Sequence, residues 1–497
     1  MTYRKSLLIL VTLLFWAGTS WGAGGTVLWE DRFDSGNGFN FVSALGVKGN
    51  RLFSAGFGET CDDPPTCSMR RTEWVVRALH TKTGAVLWQD RFDRGGGFSR
   101  AQAVAVTSER VFAAGSGVGC DDPPACTTGS GDWVVRAYDA KTGTLLWNDE
   151  FGVAGSFDEA FAVVVAGGRV FVAGDARSCE NPPECSQFPR LWVVRAYDPK
   201  TGTLLWQDQF DNGAGLNRVR TLAVKGQRLF AGGDARACSD LLGCTMDPQQ
   251  WVVRTYDTKT GALLWQDRFD NGGGNNGVNA ITVKDRWVFA SGGARAPCDD
   301  PPGSQDCLGS GFEWVVRAYD AKTGTLLWSD VSGLGGTFSV ANGIVAGGKR
   351  VFAAGFAENC PDFPACGLAP ADWLVRAYDR KTGALLWQDR FNRGGASSRA
   401  IAITLKGKRV FAVGSGECDS PGCSERRTDW VVRAYETATG GLLWDDQFDA
   451  GEGRNSADTV AVKGKRLFVG GNALTCKNSP ECTKTATEAV LRTYRTK

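Results

Sequence analysis

The sequence predicts an all-β fold, an eight-bladed β-propeller of four-stranded antiparallel blades. Three observations predict it: a tryptophan that recurs about every 59 residues, four strand-like segments between successive tryptophans, and termini that look like complementary parts of one unit. Gly is abundant at 65 residues and Trp at 18, as tight turns and large aromatic packing units require, whereas a single His argues against histidine-based chemistry.

The tryptophans are Trp29, Trp88, Trp147, Trp206, Trp265, Trp328, Trp387 and Trp444, at spacings of 59, 59, 59, 59, 63, 59 and 57 residues. One unit reads AQAVAV (101–106), RVFAAG (110–115), a cysteine-bearing loop, WVVRAYD (133–139), the turn AKTG, and TLLWNDEF (144–151). Each segment is rich in Val, Phe, Trp or Tyr and bounded by turn residues, the pattern of short strands. A four-strand unit at this period is the arithmetic of a propeller, whose middle strands are apolar on both faces because blades pack on each other. An open solenoid would need polar caps at its two ends. Here Ala489–Tyr494 reads as a third strand with no fourth after it, while Gly25–Trp29 reads as a fourth strand with no third before it. The N-terminal strand is therefore expected to complete the C-terminal blade, which removes both sheet edges.

Ahead of the propeller (23–497), residues 1–22 read as a secretory signal. Arg4 and Lys5 precede an apolar stretch, Ser6 to Gly18, that is short for a bilayer span, and Ser20-Trp21-Gly22 supplies small residues at the cleavage spacing. A secreted or periplasmic product without a membrane span is expected. Lys plus Arg total 56 against 54 Asp plus Glu. Such balance gives no electrostatic reason to expect a nucleic acid or an anionic membrane as partner.

The motif Ala137-Tyr138-Asp139-Ala140-Lys141-Thr142-Gly143-Thr144-Leu145-Leu146-Trp147 resembles the tryptophan-docking motif of the PQQ-repeat propellers, a superfamily that includes the eight-bladed quinoprotein alcohol dehydrogenases. Its Thr-Gly…Trp part recurs at Thr83-Gly84, Thr201-Gly202, Thr260-Gly261, Thr323-Gly324, Thr382-Gly383 and Thr439-Gly440, and the copy split across the termini ends in Gly25 and Trp29. His80 and Glu436 replace the motif Asp, and Thr255 replaces its Ala. The resemblance implies docking of each Trp on the next blade. It also implies two functional classes: a dehydrogenase with PQQ and calcium in the central channel, or a non-catalytic scaffold such as the propeller subunit of the outer-membrane barrel assembly machinery. Several dehydrogenases carry a disulfide between adjacent cysteines, and no two cysteines here are adjacent. Catalysis needs unlike groups converging on one spot, and this sequence is nearly eightfold symmetric. The scaffold reading is preferred, with no catalytic residue, metal or cofactor expected; the alternative is a PQQ- and calcium-dependent dehydrogenase.

Two repeated charges favour structure over function. The arginines of the third strands (Arg136 and its equivalents) and the aspartates two residues after each ruler Trp (Asp149 and its equivalents) are expected to pair within blades, because buried charges need partners. His80 reads as a turn residue. The Asp-Asp-Pro-Pro loops at 62–65, 121–124 and 299–302 read as turns without a full calcium ligand set. Symmetry breaks in the loops from each outer strand to the next inner strand. Arg100, Asp158, Glu159, Arg218, Arg220, Asn276, Arg399, Arg454 and Asp458 differ between units there, and they are the candidate residues for a protein or small-molecule partner at the channel mouth.

All 16 cysteines fall two per unit between the second and third strands. The pairs are Cys61 with Cys67, Cys120 with Cys126, Cys179 with Cys185, Cys238 with Cys244, Cys298 with Cys307, Cys360 with Cys366, Cys418 with Cys423, and Cys476 with Cys482. Metal-site and haem-attachment spacings are absent, and an export signal with an even count predicts local disulfides. Closing each short loop stabilises by roughly 2 kcal/mol in the chain-entropy picture. Non-reducing peptide mapping by mass spectrometry should find each cysteine bridged to the other cysteine of its own loop. A bridge between units would overturn the assignment.

Overall fold

A computed structural model describes residues 24–61, 70–95, 98–119, 131–152, 157–177, 190–212, 215–236, 248–272, 274–297, 311–334, 338–358, 370–392, 397–417, 428–448, 454–474 and 487–497. The proposed signal segment and the Asp-Asp-Pro-Pro loops lie outside them. The expected disulfides lie outside them too. Cys67, Cys120, Cys126, Cys179, Cys185, Cys238, Cys244 and Cys298 are not among the described residues, nor are Cys307, Cys360, Cys366, Cys418, Cys423, Cys476 and Cys482. Of Cys61 the backbone is described, as the last residue of its strand. The eight bridges therefore stand as expectations from the sequence.

The described residues form eight four-stranded antiparallel sheets and no helix. Blade one comprises Asn37–Lys48, Arg51–Cys61, Arg70–His80 and Val86–Phe92, from the inner strand outward. Blades two to seven repeat this order along the chain. Blade eight takes Ser456–Lys463, Arg466–Leu474 and Thr487–Arg495 from the C-terminus, and its outer strand is Val27–Phe33. That strand pairs antiparallel with the third strand, from Val27 against Tyr494 to Phe33 against Ala489. The ring closes as the termini predict.

Middle strands are apolar because both of their faces are covered. Arg110–Val118 is buried at nearly every position, and Trp133, Val134, Val135, Ala137 and Tyr138 of the following strand are fully buried. Each hydrophobic cluster joins residues of two neighbouring blades, as Trp88 of blade one does with Val111 and Tyr138 of blade two.

The docking tryptophan joins blade to blade. Trp88 donates from Nε1 to the Ala140 carbonyl at 3.2 Å, and its ring lies over Gly143. Gly143 has φ of +77°, and a Cβ there would fall 2.6 Å from Cδ2 of Trp88. Only glycine meets both demands. Closure obeys the same rule: Gly25 lies under Trp444 of blade seven, and Trp29 lies over Gly84 of blade one.

The arginine–aspartate ladder is also between blades, which corrects the expectation of pairing within them. Arg195 of blade three reaches Asp149 of blade two at 2.9 Å, and Arg376 reaches Asp330 of the preceding blade at 3.0 Å. The hairpin pairs Arg136 with Asn148, so Arg136 and Asp149 project from opposite faces of one blade. Arg136 instead meets Asp90 of blade one at 3.7 Å and covers the Phe92 ring at 4.1 Å. Tyr138 donates to the same Asp90 at 2.8 Å.

Deleting the chain through Phe33 removes the outer strand of blade eight together with one docking Trp. The Trp alone is worth about 3–5 kcal/mol. The truncated protein should melt far below the intact one and aggregate through the bared strand Thr487–Arg495, as read by thermal melts and light scattering. Unchanged melting would show that this strand does not close the ring.

Candidate functional site

In each blade the loops from second to third strand and from outer to next inner strand leave one face of the ring, and the other turns leave the opposite face. The candidate residues lie on the first face or just inside it, in four kinds of position.

Asp158 and Asn276 occupy a buried position filled in the other blades by Asn40, Ser99, Asn217, Ser339, Ser398 and Asn455. Its task is to tie the start of one inner strand to the preceding blade. Asn276 donates from its backbone to the Gln249 carbonyl at 2.8 Å and from Nδ2 to the same oxygen at 2.9 Å. Asp158 donates from its backbone N–H to the Gly131 carbonyl and accepts from the Arg177 backbone at 2.6 Å. These two belong to the framework.

Arg100, Glu159, Arg218 and Arg399 are equivalent residues at the openings of inner strands. Arg100 lies over the Phe57 ring of blade one at 4.8 Å, and Arg399 lies over Phe356 of blade six at 4.5 Å. Arg218 reaches back to Asp175 of blade three, 3.3 Å away, and Asp175 also pairs with Arg190. Glu159 accepts from Gln102 of blade two at 2.7 Å. Its carboxyl is held above the usual range chiefly by burial and further by the Asp175 charge, against the pull of Gln102, Arg100 and Arg218. The structure thus gathers Arg100, Glu159 and Arg218 on blades two to four, with Arg399 apart on blade seven.

Arg220 and Asp458 sit at β-bulges. All eight inner strands bulge at the same place, with Ser43, Gln102, Phe161, Arg220, Asn279, Asn342, Ile401 and Asp458 as the extra residues. A bulge re-aims one side chain without disturbing the rest of the strand. Asn279 and Asn342 use it to donate to inner-strand carbonyls of the next blade, Ala341 at 3.4 Å and Ala400 at 2.9 Å. Arg220 pairs with Asp234 at 2.6 Å, whose carboxyl burial pushes up against the pull of Arg220. Asp458 accepts from Ser456 at 2.7 Å, while its Oδ2 is sealed from solvent with no partner among the described residues.

Arg454, a candidate from the sequence, is exposed, and its equivalents in the other blades are not among the candidates. Its equivalents are Phe39, Phe98, Phe157, Leu216, Asn275, Phe338 and Ser397. Blades one to four therefore each present an exposed apolar side chain at this position, a crescent in which Phe98 and Phe157 are each 50% exposed. The signal was present: a Phe or Leu stands immediately before the buried tie residue in five of the eight loops. One end of the crescent borders a cleft of about 370 Å³ lined by Phe39, Phe41, Phe57, Phe98, Glu59 and Arg100, among others. A second cleft, of about 250 Å³, lies beside Arg220, Asn275, Asn279, Phe312 and Val340. The mouth thus offers apolar surface and both signs of charge, arranged without symmetry.

The family described as outer membrane protein assembly factor BamB matches the chain over residues 71–239 and 311–475. Among solved structures, the quinohemoprotein alcohol dehydrogenase ADHIIG of Pseudomonas putida HK5 is similar at 15% identity with a TM-score of 0.53, covering 95% of this chain and 76% of that one. The quinohemoprotein alcohol dehydrogenase of Comamonas testosteroni is similar at 13% identity, with the same TM-score of 0.53 and coverage of 95% and 76%. BamB from Moraxella catarrhalis shares 15% identity over 95% of this chain and 99% of its own, with a TM-score of 0.49. For the two dehydrogenases, at these identities, the likeness is one of fold. No curated protein matches the sequence. Among the described residues, no three His, Cys, Asp or Glu side chains come together as a metal-holding group, and Asp458 is the one acidic side chain at the bulges.

Burial pushes the Asp458 carboxyl up to about 7, against the pull of its Ser456 bond. The unfolded chain ionises this group first, so its contribution to stability is full below about pH 4 and is lost as the pH rises through 7. Asp458→Asn should melt about 2 °C or more above wild type near pH 8 and level with it near pH 4, by calorimetry. Equal melting at both would show that the carboxyl is not held neutral by the wall.

Proposed function

We propose that this chain, which belongs to the family of the outer membrane protein assembly factor BamB, is an exported, non-catalytic scaffold that binds a partner at its channel mouth. Export is supported by the apolar N-terminal segment behind Arg4 and Lys5 and by cysteines that occur two to a loop. Among the described residues, no helix is long and apolar enough to cross a membrane.

One contrast carries the reading. Ties, docking tryptophans and the charge ladder are the same in nearly every blade, while the mouth positions differ from blade to blade. Loops that vary on a constant framework are where binding resides. An apolar crescent flanked by Arg100, Glu159, Arg218 and Arg220 suits a protein partner, with aromatic residues as anchors and charges selecting the register.

The mouth arginines are poor probes by themselves. Exposed-loop substitutions usually cost under about 0.5 kcal/mol, but Arg218 and Arg220 each pair with a buried aspartate, and Ala in place of Arg220 takes from Asp234 its paired cation. Phe98 and Phe157 are half-exposed and avoid that difficulty. Phe98→Ser with Phe157→Ser should leave the melting temperature nearly unchanged and abolish capture of partners from an envelope extract. Arg136→Ala should do the reverse, lowering stability by about 3 kcal/mol or more while any folded protein still captures. Full capture by the phenylalanine variant would place the site elsewhere. Uptake of PQQ with calcium, seen by absorbance and accompanied by alcohol oxidation, would replace the scaffold with a dehydrogenase.

A further inference from the structure

The face opposite the channel mouth holds a different pattern. Apart from Lys5, Lys477 and Lys484, which lie outside the described residues, every lysine of the chain falls in a turn from inner to second strand, in a turn from third to outer strand, or at the C-terminus beside them. Lys82, Lys141, Lys200, Lys259, Lys322 and Lys381 hold one position in successive outer turns, and all are exposed. Lysines placed only for solubility would be spread over both faces. Among the described residues lysine is instead confined to this face, a segregation that the net charge of +2 conceals.

Acidic residues on this face are largely engaged. Asp139 accepts from the backbone N–H groups of Lys141 and Thr142 at 2.9 and 2.8 Å, and the turn aspartates Asp198, Asp257, Asp320 and Asp379 repeat the arrangement. Asp285 is paired with Arg380 at 2.6 Å. The six turn lysines themselves are exposed.

Beside each of these lysines stands apolar surface that the fold does not use. Leu145 and Leu146 open an outer strand and are 41% and 43% exposed. The same holds for Leu204 and Leu205 and for equivalent pairs around seven blades, from Val86 and Leu87 to Leu442 and Leu443. Each pair lies within two strand residues of its turn, hence within about 7 Å of this face along the strand. Isolated exposed leucines are ordinary, but a ring of paired ones rimmed by lysines is an amphipathic surface.

We propose that this face docks peripherally on a membrane bearing anionic headgroups, with the turn lysines on the phosphates and the leucine pairs entering the interfacial layer. Lysines near an anionic surface and aliphatic groups reaching about 5–10 Å into the headgroup boundary act together in such binding. A nucleic acid would satisfy the lysines and leave the leucines in water, so the observations favour lipid. Docked this way, the ring turns its channel mouth away from the bilayer.

The test is co-sedimentation of purified protein with vesicles of phosphatidylcholine alone and of phosphatidylcholine with phosphatidylglycerol, at low and high salt. The zwitterionic vesicles measure whatever the apolar N-terminal segment contributes. Binding should require phosphatidylglycerol and weaken with salt. Lys141→Gln, Lys200→Gln and Lys259→Gln together should weaken it on the order of 100-fold. Leu146→Ser, Leu205→Ser and Leu264→Ser together should also weaken it, and Arg454→Gln on the opposite face should not. Equal binding to both lipids, or unchanged binding by the lysine variant, overturns the proposal. So does an indifferent leucine variant whose binding is displaced by duplex DNA, which would mark a polyanion surface instead.

Discussion

Everything in this molecule depends on a tryptophan of one blade lying flat on a glycine of the next. Two conditions make the contact specific. The glycine backbone is left-handed, and the indole occupies the space that any Cβ would need, as at Gly143 beneath Trp88. A four-stranded sheet with two apolar faces has no stable existence alone, so the docking contact and the hydrophobic surface it aligns are one requirement. Around it the arginine, the tyrosine and the aspartate form a second seam. Trp192 donates to the Tyr256 hydroxyl at 3.1 Å, and that hydroxyl donates to Asp208 at 2.9 Å, so one tyrosine of blade four holds two residues of blade three.

This seam explains where variation is tolerated. Positions facing a neighbouring blade meet nearly the same surroundings in every blade and mostly keep one residue, with Leu79 in place of the seam tyrosine in blade one and Ala489 in place of the buried tryptophan in blade eight. Positions at the mouth meet solvent or a channel and are released from that constraint. The bulges extend the freedom into the wall itself, because the extra residue is supernumerary to the ladder of strand hydrogen bonds. Phe161, Arg220 and Asp458 can therefore stand at equivalent places without a difference in pairing.

The periodic features were legible in the sequence: the ruler tryptophans, the four strands, the turn glycines and the complementary termini all follow from local pattern. Partner choice was not. Treating Arg136 and Asp149 as a hairpin pair overlooked the period of two, which sends them to opposite faces once Arg136 is set against Asn148. Asp158 and Asn276 differ in name from the serines at the same place, yet all eight residues there are buried, and Ser99, Asp158, Asn276 and Asn455 each donate from the backbone to a carbonyl of the preceding blade. Bulges depend on register, which a single strand does not reveal. The phenylalanine crescent went unnoticed for the opposite reason, since its repetition resembled framework.

Closure by the N-terminal strand also sets a sequence of events in time. Arg32 and Glu488 form an ion pair at 3.0 Å across 456 positions of chain. Compared with a hairpin of about ten residues, closing so long a loop costs roughly 3 kcal/mol more in chain entropy. The first strand to emerge during synthesis is thus the last to find its partner, and until then both ends of the array are open edges. Blades one to seven can assemble by neighbour-to-neighbour growth, while the final seam waits for the whole chain. Chain entropy therefore weighs most heavily on the meeting of the two termini, and a lone strand is exposed until it happens.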